Sequence, residues 1–146
     1  MEELHEIRSC IEQGRYAEAL NLLGEVEEMS KDDKISKIES YLEILLLHLI
    51  KQQAETRTTR SWDVSIKNAI DRISYTNRRR KAGGFYLGRK ELEETIEDAW
   101  PLALRRASLE TLEGRHDGSE LARMIGEKQI KEKALEMIQS DLSPEK

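Results

Sequence analysis

The chain has 146 residues, 38% of them hydrophobic and 36% charged, with a formal net charge of −5; that is the size of one ordinary domain, and its sparse apolar residues must be well patterned to build a core. A single cysteine, Cys10, excludes an intramolecular disulfide and a zinc site made of several thiolates, and it suits a reducing cytoplasm. The longest apolar run, Ile44–Leu47, falls far short of the roughly 18 residues that a membrane span needs, and the acidic start Met1-Glu2-Glu3 has the wrong charge for a signal peptide.

The elements follow in chain order. Leu4, Ile7 and Ile11 recur at helical spacing and predict a helix over 2–11, which Gly14 interrupts. Ala19, Leu20, Leu23 and Val26 predict a second helix over 16–28. Ser30 with Asp33 is an approximate capping box and predicts a new helix over 31–55, the Leu-rich centre of the fold. In that helix Ile35, Ile38, Leu42, Leu45 and Leu49 form one stripe, while Ile44, Leu47 and Ile50 make other faces apolar too. The threonine-rich stretch 54–61 reads as a loop.

Ser61 is expected to cap the next helix, whose stripe is Trp62, Ile66, Ala69, Ile70 and Ile73. Arg78, Arg79, Arg80 and Lys81 fall at its end, where cations complement the helix dipole, and Gly83-Gly84 makes a turn. Leu92, Ile96, Ala99, Trp100, Ala103, Leu104 and Ala107 predict a long helix over 88–113, with Pro101 inside it. Asp117 and Glu120 form a capping box for a short helix over 121–125, and Ile130, Ala134, Met137 and Ile138 mark a last helix over 127–140. Residues 143–146 read as a tail. No segment reads as a strand, so the expected fold is all-α: a compact multi-helix bundle, one domain over 1–142 with a carboxyl-terminal helical extension at 118–140.

Charge is segregated. Residues 1–54 hold 6 basic and 12 acidic side chains, residues 55–90 hold 10 and 3, and residues 91–146 hold 8 and 14. Packing of the three segments against one another would neutralise the basic middle, which is the favoured expectation. A polyanion site is the alternative, with Arg57, Arg60, Arg78, Arg79, Arg80 and Lys81 as its candidate residues and Tyr75, Phe85 and Tyr86 as candidate stacking rings.

Catalytic motifs are not recognisable. The glycines of GGFYLG lack the spacing and the Lys-Ser/Thr ending of a phosphate loop. His5, His48 and His116 are far apart in sequence, and none has a second histidine at ligand spacing, so neither metal nor cofactor is expected. Cys10 and Ser61 have no recognisable base. The one constellation worth inspecting for an enzyme is His48, Arg60 and Trp62; as a structural residue, His48 is expected to bond across to a neighbouring helix or loop.

The stretch EVEEMSKDDKISKIESYLEILLLHLIKQQ, followed by Arg60-Ser61-Trp62 and Ser65-Ile66, resembles a bacterial family, common in cyanobacteria, called domain of unknown function number 29. Trp100, Ala103, Ala107 and Glu110-Thr111 match its later motif, and the resemblance covers about residues 12–113. Gln52 replaces the family's usual aromatic residue, the loop lacks its proline and is shorter, and Ala69-Ile70 replaces a Gln-Arg pair. The resemblance implies an all-helical fold, with His48, Ser61, Trp62 and Trp100 as its structural signature, and no activity. The expected function is a non-enzymatic, soluble interaction or regulatory module with a protein partner, such as a second copy in a homodimer. The alternative is a nucleic-acid-binding regulator using residues 57–90.

Overall fold

A computed structural model describes residues 2–79 and 83–142. Its helices are α1 (Glu2–Glu12), α2 (Tyr16–Glu55), α3 (Arg60–Asn77), α4 (Arg89–Glu110), α5 (Gly118–Met124) and α6 (Glu127–Leu142), with a 3-10 turn at Leu112–Gly114. Among the described residues, extended pairing is limited to an isolated antiparallel bridge between Arg78 and Phe85. The all-α expectation holds. No described helix is long and apolar enough to cross a membrane.

Two sequence expectations are corrected here. Ser30 and Asp33 begin no helix, because α2 is continuous from Tyr16 to Glu55. The stretch Met29–Lys34 contains neither Pro nor Gly, so nothing in it removes a backbone donor or makes the helical conformation costly. Ser61 is not the cap of α3 either: Thr59, in extended geometry, accepts a hydrogen bond from the Trp62 amide at 3.1 Å. Both residues are good caps by type, and Thr59 wins by position.

The chain divides into two compact units, Met1–Lys34 and Ile35–Lys146. In the first, α1 ends where Gly14 takes φ +80°, a left-handed conformation that glycine adopts without steric cost. The Gly14 and Arg15 amides close the turn on Ile11 and Cys10 carbonyls at 3.1 and 2.8 Å. Ile7, Cys10 and Ala19 are buried, with Leu22 and Val26 packed on them.

The second unit holds the main core. Ile38, Leu42, Leu45, Leu46 and Ile50 of α2 are fully buried, together with Ile73, Leu92, Leu121 and Ile138. Each contributes on the order of 1.5–3 kcal/mol by leaving water. α3 packs on α6, and α4 packs on α5 and α6. Ala99, Ala103 and Ala107 repeat at i, i+4 and i+8 along α4 with no exposure at all, a run of small side chains that lets neighbouring helices approach closely. Asp117 and Glu120 form the expected capping box, each accepting from the other's amide at 2.8 and 3.0 Å. The helix it starts begins three residues earlier than expected, at Gly118, and ends one residue earlier, at Met124.

Candidate functional site

The second face of α2 is polar in a regular way. His48, Lys51 and Glu55 follow Ile44 at spacings of four, three and four, so all lie on one stripe. Opposite them are Arg106 and Glu110, at the carboxyl end of α4, and Leu112, in the 3-10 turn after it. Lys51 is buried, and its Nζ reaches Glu110 Oε1 at 3.1 Å. Arg106 joins Glu43 at 3.8 Å and Glu110 at 4.0 Å. Glu55 Oε2 accepts from the Leu112 amide at 3.0 Å, and its other oxygen pairs with Arg57 at 2.8 Å. The Leu112 bond, more than the Arg57 partner, holds the Glu55 carboxyl below its usual range against the opposing effect of burial.

The Glu55 bond braces a strained turn. Leu112 and Glu113 have φ +47° and +60°, followed by Gly114 at +72°. Left-handed geometry at non-glycine residues costs free energy and persists only where neighbours enforce it. Glu55 supplies one such restraint, and the Thr111 hydroxyl supplies another by donating to the Ala107 carbonyl at 2.7 Å.

Trp62 sits among these groups. Lys51 Nζ lies 4.9 Å from its ring centroid and Arg57 Cζ lies 4.7 Å away, both within cation–π range. The His48 ring is 6.5 Å off and tilted by 43°. His48 does not make the cross-bond expected of it: Nδ1 is buried and has no hydrogen-bond partner among the described residues. Ring packing on Trp62 takes the place of that bond. Burial, then the Lys51 cation, push the imidazole below its usual pKa, and Arg106 adds to this while Glu110 opposes it. The constellation of His48, Arg60 and Trp62 is not assembled either. Arg60 is exposed on the first turn of α3 with no ion pair or ring contact among the described residues, and Arg57 takes the position over Trp62.

Gln52 has a structural use. Its amide donates to Thr58 at 2.8 Å and to Asp63 at 3.3 Å, while the Thr58 hydroxyl donates to Asp63 at 2.7 Å. The loop before α3 is thereby tied to both flanking helices. Trp100, the later signature residue, is buried beneath Lys131, whose Nζ is 5.1 Å from the ring. Lys131 is clasped by Glu97, at 2.8 Å, and by Glu127. Burial works against its charge, but these two carboxylates outweigh it and hold the ammonium above the usual lysine range.

The family model described as "Domain of unknown function DUF29" matches residues 12–117. The chain belongs to that family. The matched span contains His48, Lys51, Glu55, Arg57, Trp62, Trp100, Arg106 and Glu110, so the whole clamp between α2, the loop and α4 lies inside the DUF29 region. Both α5 and α6 lie beyond it. No curated protein and no solved structure matches the chain.

The basic segment is arranged differently. Arg57 pairs with Glu55, and Arg89 pairs with Glu93 at 3.7 Å. Arg60, Lys67, Arg72, Arg78 and Lys90 are exposed and make no ion pair among the described residues. Arg79 is exposed as well, with its guanidinium 5.8 Å from the Tyr86 ring. Among the described residues, the expected neutralisation by the acidic flanks is thus largely absent: these cations face solvent on α3, just after it at Arg78 and, for Lys90, on the first turn of α4. Arg80 and Lys81 lie outside the described residues. Among the described residues, no three His, Cys, Asp or Glu side chains are grouped to hold a metal ion.

Proposed function

We propose that the protein is a non-enzymatic helical interaction module whose contact surface is the hairpin of α1 and the first turns of α2. One observation carries this reading. Leu4, Ile11, Tyr16, Leu20, Leu23 and Met29 are all at least 41% exposed, on a unit whose buried core, among the described residues, is only Ile7, Cys10 and Ala19. Large apolar side chains concentrated on one small unit mark a surface that another molecule covers. The occupant is a second copy of the chain or an amphipathic helix with basic flanks, which would complement the 10 acidic and 4 basic residues of positions 2–34. Light scattering of the full chain and of Leu20→Glu tests it. A dimer that becomes a monomer on substitution supports self-association. Monomers in both cases move the test to proteins captured from the native host, and equal capture by wild type and Leu20→Glu would overturn the reading.

A second reading, polyanion binding through residues 57–90, is favoured by a separate observation. Arg60, Lys67, Arg72 and Arg78 are exposed without ion pairs among the described residues, and Tyr75 and Phe85 of the same segment are exposed too. Fluorescence anisotropy with labelled nucleic acid at two salt concentrations tests it; affinity that does not fall with salt would count against it.

A further inference from the structure

We propose that the hairpin surface docks an amphipathic helix of a basic partner protein along a seam on α2. Tyr16, Leu20 and Leu23 are its apolar contacts, and Gly24 is its point of closest approach. The inference rests on the interaction reading above and narrows its occupant to one.

The seam follows from spacing. Tyr16, Leu20 and Leu23 follow one another at intervals of four and three residues, so they stand on one face of α2. All three are exposed. The hairpin's own core uses a neighbouring face, where Ala19 is buried and Leu22 and Val26 pack. The exposed stripe is therefore left over once that core is made. Beside it run Ala17 and Gly24, two turns apart on nearly the same line. Gly24 lies in the interior of a 40-residue helix, where glycine is the costliest residue after proline. Among the described residues, a Cβ at that position would meet nothing within 4 Å, so no internal contact requires the glycine. A missing side chain beside Leu20 and Leu23 has a use when another backbone comes close. A second helix lays a matching row of side chains along such a seam.

Charge selects the partner. Positions 2–34 carry 10 acidic and 4 basic residues, a net charge of −6. Two of those cations are engaged locally, Arg8 with Glu12 at 3.4 Å and Arg15 with Glu18 at 3.0 Å. Glu25, Glu27 and Glu28 are exposed just past Leu23, and Glu27 continues the line of the stripe. A twofold contact would set this surface against its own copy, so that two like-charged faces meet. The exposed cations of α3 in a second copy do not supply the helix either, because the apolar residues Ile66, Ala69 and Ile73 of α3 are buried in its own core. A helix with Lys or Arg flanking a free apolar stripe matches the seam in both respects.

The test uses the full chain and three fluorescein-labelled peptides of about 18 residues, or five helical turns. One has Leu and Lys in amphipathic order, one has Glu for every Lys, and one has the Leu and Lys order scrambled. The amphipathic Leu/Lys peptide should bind at least about tenfold more tightly than either control, and less tightly as salt rises. Leu20→Glu and Leu23→Glu, both at exposed positions, should each weaken it about tenfold or more with an unchanged circular dichroism spectrum. Gly24→Ala is the sharper variant. It should raise the melting temperature, because alanine is the better helix former, and still weaken binding about fivefold or more. Equal binding of the scrambled peptide overturns the seam, as does binding that none of the three substitutions changes. Light scattering on the same chains separates this inference from the reading above. A dimer lost in Leu20→Glu, with no peptide bound, overturns the basic partner and keeps the hairpin surface. A monomer that binds no peptide also overturns the basic partner, and equal capture of host proteins by wild type and Leu20→Glu then overturns the surface itself.

Discussion

Lys51 and Glu110 join the last turns of α2 and α4 through a 3.1 Å ion pair, and the same ammonium lies 4.9 Å from the Trp62 ring. The lysine side chain is 11% exposed and the glutamate 41%, so removing one partner affects the two ends unequally. Glu110→Ala leaves a largely buried ammonium without its carboxylate and should cost about 1–3 kcal/mol. Lys51→Met keeps the apolar stem against Trp62 and leaves only an exposed carboxylate, and it should cost less than about 1 kcal/mol. Urea denaturation of both single variants and the double variant measures this, and a coupling near zero would show that the pair contributes nothing.

Asn77 is the buried polar group on which the turn after α3 depends. Its amide satisfies both backbone groups of Leu87, so Asn77→Leu would strand a buried donor and a buried acceptor together. The expected loss is about 2–4 kcal/mol. Limited proteolysis should show earlier cleavage within residues 78–86 in the variant than in wild type. An unchanged digestion pattern would mean that the backbone bonds Arg79–Gly84 and Tyr86–Asn77 suffice alone.

Much of this architecture is legible from apolar spacing. The stripe Ile38–Leu42–Leu45–Leu49 and the alanine ladder of α4 repeat at helical intervals, and both are buried as that pattern demands. Other features rest on relations that one strand of text does not display. Lys51 reads as an ordinary helical lysine until Glu110, 59 residues away, is brought to it. Asn77 sits next to four consecutive cations that draw attention away from it. The break expected at Ser30 failed because a capping pattern marks a helix start only where the preceding residues leave the helix. A regular signal did exist for the clamp: Ile44, His48, Lys51 and Glu55 share one face of α2, and three polar groups in register on a core helix call for partners.

Thr59 and Ser61 offer a direct test of which side chain starts α3. Only Thr59 accepts from the Trp62 amide, so Thr59→Ala should cost about 1 kcal/mol and Thr59→Ser very little. Ser61→Ala lies on an exposed position within the helix and should change stability by less than about 0.5 kcal/mol. Thermal melts of the three variants decide it, and a larger loss at Ser61 would contradict the geometry.

His48 gives the protein a pH dependence whose sign follows from its surroundings. Burial, then the nearby Lys51 cation, lower its pKa in the folded state, with Arg106 adding to the effect and Glu110 opposing it. The unfolded histidine titrates near about 6.5. Between the folded and unfolded values the unfolded chain binds the extra proton, so stability is fully present above about pH 6.5 and falls as pH drops through the window below it. His48→Leu removes both this titration and the unpartnered Nδ1. The variant should equal or exceed wild type in melting temperature at pH 7.5, and it should lose less than wild type on going to pH 5.5, above the range where most carboxylates titrate. Paired melts at the two pH values measure the difference, and proton NMR of the imidazole reads the cause directly. A His48 resonance titrating above about 6.5 would reverse the sign and show that Glu110, not Lys51, dominates the field at the ring.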